Sequence, residues 1–402
     1  MRRVRPRARA PPTAATATTI DCPRKSVEVL STWISRARVA RAPRGGAERE
    51  RDDVRARILT ARTRARCFVC KHRARRSSST PRASRATTVR AAADYTPRKA
   101  FFFPGQGAQS VGMAKELCDE CPAAKAMFDK ASEVLGYDLL DVCVNGPAER
   151  LNSTAVSQPA IYVASLAALE KMKMTPEGQA AIDAVDVAAG LSLGEYTALT
   201  FAGALTFEDG LKLVKIRGES MQEAADATPS GMASVIGLSA DKAEELCARA
   251  AAESGAPVSV ANYLCNGNYA VSGAIPAIDK VEEIAKPEFK ARMVVRLAVA
   301  GAFHTNFMAP AADKLKAALE ATPIQATRIP VVSNVNVEPH SDAASIRATL
   351  ATQLTNPVQW EKTMVTFLDK GLESATEVGP GKVISGIMKR VDKTFACENF
   401  TV

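Results

Sequence analysis

The stretch Gly190-Leu191-Ser192-Leu193-Gly194 sets a serine hydroxyl between two glycines. It follows the apolar run Val185-Asp186-Val187-Ala188-Ala189 and precedes a helical pattern that begins near Gly194. A strand turning sharply into a helix is the setting in which G-x-S-x-G lifts a serine out of a sheet as a nucleophile. The glycines let neighbouring backbone pass closely. The N–H of Leu193 and the helix N-terminus then face any oxyanion formed at Ser192. Five residues alone also fit a plain tight turn; the strand–turn–helix setting is what favours a nucleophile.

A serine nucleophile needs a base. The chain has three histidines. His72 lies in a basic leader, and His340 in the polar stretch Glu338-Pro339-His340-Ser341-Asp342. His304 ends the run Val299-Ala300-Gly301-Ala302-Phe303-His304, read as the C-terminal end of a strand, where open α/β sheets carry their sites. Elimination makes His304 the candidate base. Arg217, in Leu213-Val214-Lys215-Ile216-Arg217-Gly218, could hold a carboxylate through two parallel hydrogen bonds. On sequence alone a surface arginine is the simpler reading. Gly105-Gln106-Gly107-Ala108-Gln109 is a turn without the spacing of a phosphate-binding or dinucleotide loop. Its backbone could supply a second oxyanion donor.

The elements that must carry these residues alternate. Lys99–Phe103 and Val185–Ala189 read as buried strands, and helical patterns cover 111–136, 157–173 and 207–225. The alternation predicts an α/β fold with a mostly parallel sheet, of the α/β-hydrolase-like kind. Residues 231–299 differ, with the order β-α-β-β-α-β of a ferredoxin-like unit. They form a small subdomain inserted into a large one made of 98–230 and 300–395. In the last part, 306–321 and 343–354 read as helices, 330–334 and 375–378 as strands, and a final helix starts near 382.

The formal net charge of +10 is unevenly placed. Residues 1–90 hold 25 basic and 6 acidic residues, so the rest of the chain is acidic. That argues against nucleic-acid binding. The leader is rich in Arg, Ala, Ser and Thr without an apolar core, as expected of an organelle transit peptide cut near residue 90. Composition alone leaves plastid and mitochondrial matrix open; the family resemblance given below is what favours a plastid, with the mitochondrial matrix as the alternative. The nine cysteines lack paired metal-ligand spacing, so free thiols and no metal site are expected. No transmembrane helix is evident.

Six ordered motifs carry a resemblance. They are Phe103-Pro104-Gly105-Gln106-Gly107-Ala108-Gln109, Gly190-x-Ser192-Leu193-Gly194-Glu195-Tyr196, Arg217-Gly218-x-x-Met221-Gln222, Phe303-His304, Asn356-Pro357-Val358-Gln359-Trp360 and Glu377-Val378-Gly379-Pro380-Gly381. Together, over roughly 98–395, the chain resembles the malonyl-CoA:acyl carrier protein transacylases of type II fatty acid synthesis. The resemblance implies Ser192 as nucleophile and His304 as base, oriented by the main-chain carbonyl of Gln359. It implies Gln106 and Leu193 as backbone oxyanion donors and Arg217 as partner of a malonyl carboxylate, against the simpler reading above. Asn262 would line the substrate cleft, and Phe303 would crowd an α-methyl branch. Malonyl-CoA and acyl carrier protein are the implied partners, with no cofactor, and the chain would act as a monomer. Lys382, Lys389 and Arg390 are candidates for docking an acidic carrier. Bacterial members usually have His before the serine, where this chain has Leu191. A serine esterase or thioesterase of the α/β-hydrolase type is the alternative, and it would need an acidic partner for His304.

Overall fold

The computed structural model describes residues 95–402. The basic leader, with Cys67, Cys70, His72 and the expected cut near residue 90, lies outside the described residues.

Two sheets organise the described chain. The larger contains β1 (Lys99–Phe103), β2 (Val187–Gly190), β7 (Val331–Val332), β8 (Ser374–Val378) and β9 (Cys397–Phe400), in the order β7-β2-β1-β8-β9. Every pairing in it is parallel. A parallel sheet is covered on both faces, which is why β1 and β2 are continuous apolar runs. Alternation within β1 splits the core. Phe101 and Phe103 meet Phe201 at ring-centroid distances of 5.4 and 5.6 Å on one face. Phe102 meets Trp360 and Phe367, each at 5.9 Å, on the other.

The helices that position the site are α1 (Thr154–Met172), α2 (Gly194–Phe201) and α3 (Phe207–Ala227). Thr206 caps α3, its side chain accepting from the Asp209 N–H. Buried residues on α3 include Gly210, Val214, Arg217, Met221 and Ala224. That three-and-four spacing is one helix face, so Arg217 lies on the apolar stripe.

The smaller sheet is built from β3 (Ser230–Ile236), α4 (Ala240–Ser254), β4 (Val258–Cys265), β5 (Asn268–Ala274), α5 (Ile275–Ile284) and β6 (Met293–Arg296). Its order β4-β5-β3-β6, with antiparallel pairings, is the ferredoxin-like arrangement expected. After it come α6 (Ala309–Ala321), α7 (Ala343–Gln353), α8 (Trp360–Asp369) and α9 (Val383–Val391).

Several expectations change in detail. The helix expected over 111–136 is two helices, Lys115–Glu120 and Pro122–Leu135, because Pro122 starts the second. The last strand of the 231–299 unit lies in the smaller, antiparallel sheet as that unit requires, but it is short and ends at Arg296. His304 therefore follows an irregular segment and not a strand of the parallel sheet. The C-terminal strand β9 was not foreseen. Among the described residues the six cysteines are free, and no helix is long and apolar enough to cross a membrane.

Candidate active site

The turn at Ser192 is held by close backbone packing. A Cβ on Gly190 would sit 1.9 Å from the Gly194 carbonyl carbon, and one on Gly194 would sit 2.0 Å from the Phe103 oxygen. Neither position accepts a side chain without moving main chain. Ser192 itself has φ +53°, a left-handed conformation that an L-residue keeps only when its surroundings enforce it. The Asn334 Oδ1 accepts the Ser192 N–H at 2.6 Å, and the Gln353 Nε2 donates to the Ser192 carbonyl at 3.1 Å.

The structure brings Ser192, His304 and Arg217 together. Ser192 Oγ is 2.9 Å from His304 Nε2 and 2.9 Å from Arg217 Nη2. His304 is 4% exposed, with φ +60°. Its Nδ1–H donates to the main-chain carbonyl of Gln353 at 2.9 Å, which leaves the Nε2 lone pair for the serine hydroxyl. Burial, and then the positive charge of Arg217, push the His304 pKa down from 6.5 to about 4. His304 is thus neutral and able to accept a proton at neutral pH. Labelling of Ser192 by a neutral fluorophosphonate should stay level as pH falls through 6.5 and decline only near 4. An inflection at 6.5 in the rate-against-pH curve would contradict this electrostatic account.

The orienting residue is a correction. Gln359 does not reach His304. Its N–H donates to the Asn334 carbonyl at 2.8 Å, and its own carbonyl accepts from Thr363 at the start of α8. Gln353, at the end of α7, takes the role in its place. The motif Asn356–Trp360 is structural. Val358 exchanges hydrogen bonds with Ala261 and Tyr263 of β4, and Trp360 is fully buried. Glu377 likewise caps α9, accepting from the N–H groups of Ile384 and Ser385.

Among the described residues no hydrogen bond engages the main-chain N–H of Gln106 or Leu193. Both flank the Ser192 turn, Gln106 on the loop after β1 and Leu193 at the head of α2, so both amides can serve an oxyanion. The Gln106 side chain donates to Thr154 Oγ1 at 3.3 Å.

Arg217 is 1% exposed. Its hydrogen bonds go to neutral groups: Nη1 to Gln158 Oε1 at 2.6 Å, and Nη2 to Gln353 Oε1 at 3.0 Å and to the serine hydroxyl. Its Nε–H has no partner, and the guanidinium carbon lies 5.4 Å from the Tyr196 ring centroid. Burial pushes its pKa down from the ordinary value. A buried guanidinium hydrogen-bonded only to amides and a hydroxyl can receive an anion beside the nucleophile.

Other expected residues stand further back. Asn262 is half-buried on β4 at an irregularity in the β4–β5 ladder, bridged to Val358, outside the hydrogen-bonded group around Ser192. Phe303 precedes His304, is 5% exposed in the main apolar cluster, and its carbonyl accepts from Ser272 Oγ. Leu191 is 8% exposed and packs with the second apolar cluster, which includes Val332, Val358 and Trp360. That accounts for an apolar side chain before the serine. Lys382, Lys389 and Arg390 are exposed around α9. Sequence reasoning missed Gln158, Asn334 and Gln353, and passed over Glu195 and His340. No local pattern marks them, because their contacts in the site span 49 to 161 residues of chain.

Residues 100–396 match a family model described as an acyl transferase domain. The chain is 40% identical over 297 residues to the malonyl CoA-acyl carrier protein transacylase of Bacillus subtilis (strain 168), covering 73% of this chain and 90% of that protein. It is 42% identical over 300 residues to the mitochondrial malonyl-CoA-acyl carrier protein transacylase of Mus musculus, covering 71% and 77%. A solved structure of a type II PKS acyl-carrier protein in complex with its malonyl-transacylase matches with a TM-score of 0.70 at 36% identity, covering 76% of this chain and 96% of that one.

Proposed function

This chain belongs to the acyl transferase family, and on that premise we propose that it moves a malonyl group from malonyl-CoA to the phosphopantetheine thiol of an acyl carrier protein, feeding fatty acid synthesis. The observation that carries the acyl-group choice is Arg217, buried without a carboxylate and within hydrogen-bond reach of Ser192 Oγ.

The steps follow from the geometry. His304 Nε2 takes the Ser192 proton as Oγ attacks the thioester carbonyl carbon. The Gln106 and Leu193 amides hold the resulting oxyanion. The C–S bond breaks, and the proton on His304 passes to the CoA sulfur. The carrier's thiol then gives its proton to His304 and attacks the malonyl-serine ester, restoring Ser192. These side chains and amides carry every step, so the reading calls for no cofactor. An esterase of the triad type would place a carboxylate on His304 Nδ1, where this chain has the Gln353 carbonyl.

The test is intact mass after mixing with malonyl-CoA or acetyl-CoA. A malonyl adduct should form on the wild type, be absent from Ser192→Ala, and vanish on adding holo carrier protein with malonyl appearing on the carrier. Acetyl-CoA should label far less. Rapid release of free malonate without carrier would overturn transfer in favour of hydrolysis.

A further inference from the structure

Glu195 and His340 form a fully buried pair that the transfer steps do not use. The two side chains are 0% and 1% exposed, with Glu195 Oε1 at 2.8 Å from His340 Nε2. Among the described residues the pair is the only carboxyl–basic side-chain contact of this kind with both partners buried. A buried carboxylate must be satisfied by donors or it destabilises the fold. Here the second oxygen, Oε2, accepts from the Asn334 N–H at 3.1 Å and from Gln353 Nε2 at 2.6 Å. The His340 backbone is pinned in turn, its main-chain N–H donating to the Val331 carbonyl of β7 at 3.0 Å, while its ring Nδ1 has no partner.

Those two donors, Asn334 and Gln353, are the residues that hold the site. Asn334 Oδ1 accepts the N–H of Ser192, and Asn334 Nδ2 donates to the Gly190 carbonyl at 2.8 Å. Gln353 donates to the Ser192 carbonyl, accepts from Arg217 Nη2, and accepts His304 Nδ1–H on its main chain. Both dyad members have positive φ, +53° at Ser192 and +60° at His304. A strained turn persists only when its surroundings over-determine it. We propose that the Glu195–His340 pair is a positioning unit for the reaction: through Asn334 and Gln353 it fixes the Ser192 turn, the His304 ring and the Arg217 guanidinium in one register. Neither member touches substrate or the reacting atoms.

The inference rests on the malonyl-transfer reading, but its test can fail separately. Two rates are measured on Glu195→Ala, Glu195→Gln, His340→Leu and His340→Gln: Ser192 labelling by a neutral fluorophosphonate, which needs the dyad alone, and kcat with KM for malonyl transfer. Thermal midpoints report stability apart from either. In folded Glu195→Ala and His340→Leu, labelling and kcat should both fall roughly 10- to 100-fold, the scale of a small misplacement of reacting groups, with KM changed less. Glu195→Gln should recover at least about tenfold over Glu195→Ala, because the amide oxygen still accepts from Asn334 and Gln353 while its NH2 faces His340. Labelling within about threefold of wild type in folded Glu195→Ala or His340→Leu would overturn the proposal, as would equal losses in Glu195→Gln and Glu195→Ala. If Glu195→Ala does not fold, the His340→Leu and His340→Gln pair decides on the same thresholds. A wild type that labels but transfers no malonyl would count against the transfer reading and leave the labelling comparison intact.

Discussion

Replacing His304 with alanine should lower malonyl transfer by on the order of 10⁴-fold or more, with folding preserved. Ser192 Oγ has two polar neighbours at 2.9 Å, and only one can accept a proton. Arg217 is a donor at every physiological pH, so it can polarise the hydroxyl but cannot deprotonate it. The other described histidine, His340, cannot stand in, because its Nε2 is committed to Glu195. The loss should fall on kcat and on the rate of acyl-enzyme formation, since both ring nitrogens of His304 are committed, Nε2 to Ser192 Oγ and Nδ1 to the Gln353 carbonyl. Ser192→Ala should lose as much, and the double variant no more, because the two act as one unit. The measurement is single-turnover acylation by malonyl-CoA, with the thermal midpoint checked alongside. A His304→Ala protein that acylates within tenfold of wild type would mean that another group serves as base.

How much of this was legible in the sequence depends on whether the carrier of each role was local. The Ser192 turn was readable because its determinants sit within five residues: an apolar run, two glycines that backbone contact demands, and a helix start. The ferredoxin-like unit was readable for a similar reason, as its element order survives in hydrophobic patterning alone. Gln353 and Gln359 show the opposite case. Orientation of His304 is done by a main-chain carbonyl, which every residue has, so side-chain type could not choose between two glutamines six positions apart. The choice is made by α7 ending at Gln353 and by Gln359 spending its backbone on Asn334 and Thr363. His340 looked like a surface residue because its neighbours in sequence are polar. Its burial comes from Glu195, 145 residues earlier. Arg217 lay between these cases. The spacing Gly210, Val214, Arg217, Met221 already put it on the buried face of α3, and that signal could have displaced the surface reading without any resemblance.

Arg217→Ala should cut kcat/KM for malonyl transfer by roughly 10²–10³, equivalent to about 3–4 kcal/mol of lost charged contact. The argument begins with what burial does to a guanidinium. At 1% exposure it has given up its water, and its three hydrogen-bonding neighbours are neutral. A malonyl carboxylate arriving on Ser192 supplies the direct anionic partner that these three neighbours do not, and an acetyl group does not. Alanine removes that preference. It leaves Gln158 and Gln353 without their donor and weakens the hold on the Gln353 side chain. The His304 carbonyl contact, made by main chain, is untouched. Acetyl transfer should therefore fall far less than malonyl transfer, and the malonyl-to-acetyl ratio should approach unity. Arg217→Lys sharpens the point, since a lysine brings charge without the fork that reaches Gln158, Gln353 and a carboxylate together. It should keep some malonyl preference at a reduced rate. If Arg217→Ala left the ratio unchanged, selection would have to lie elsewhere in the cleft, and the buried guanidinium would be a structural cation whose desolvation the fold tolerates for another reason.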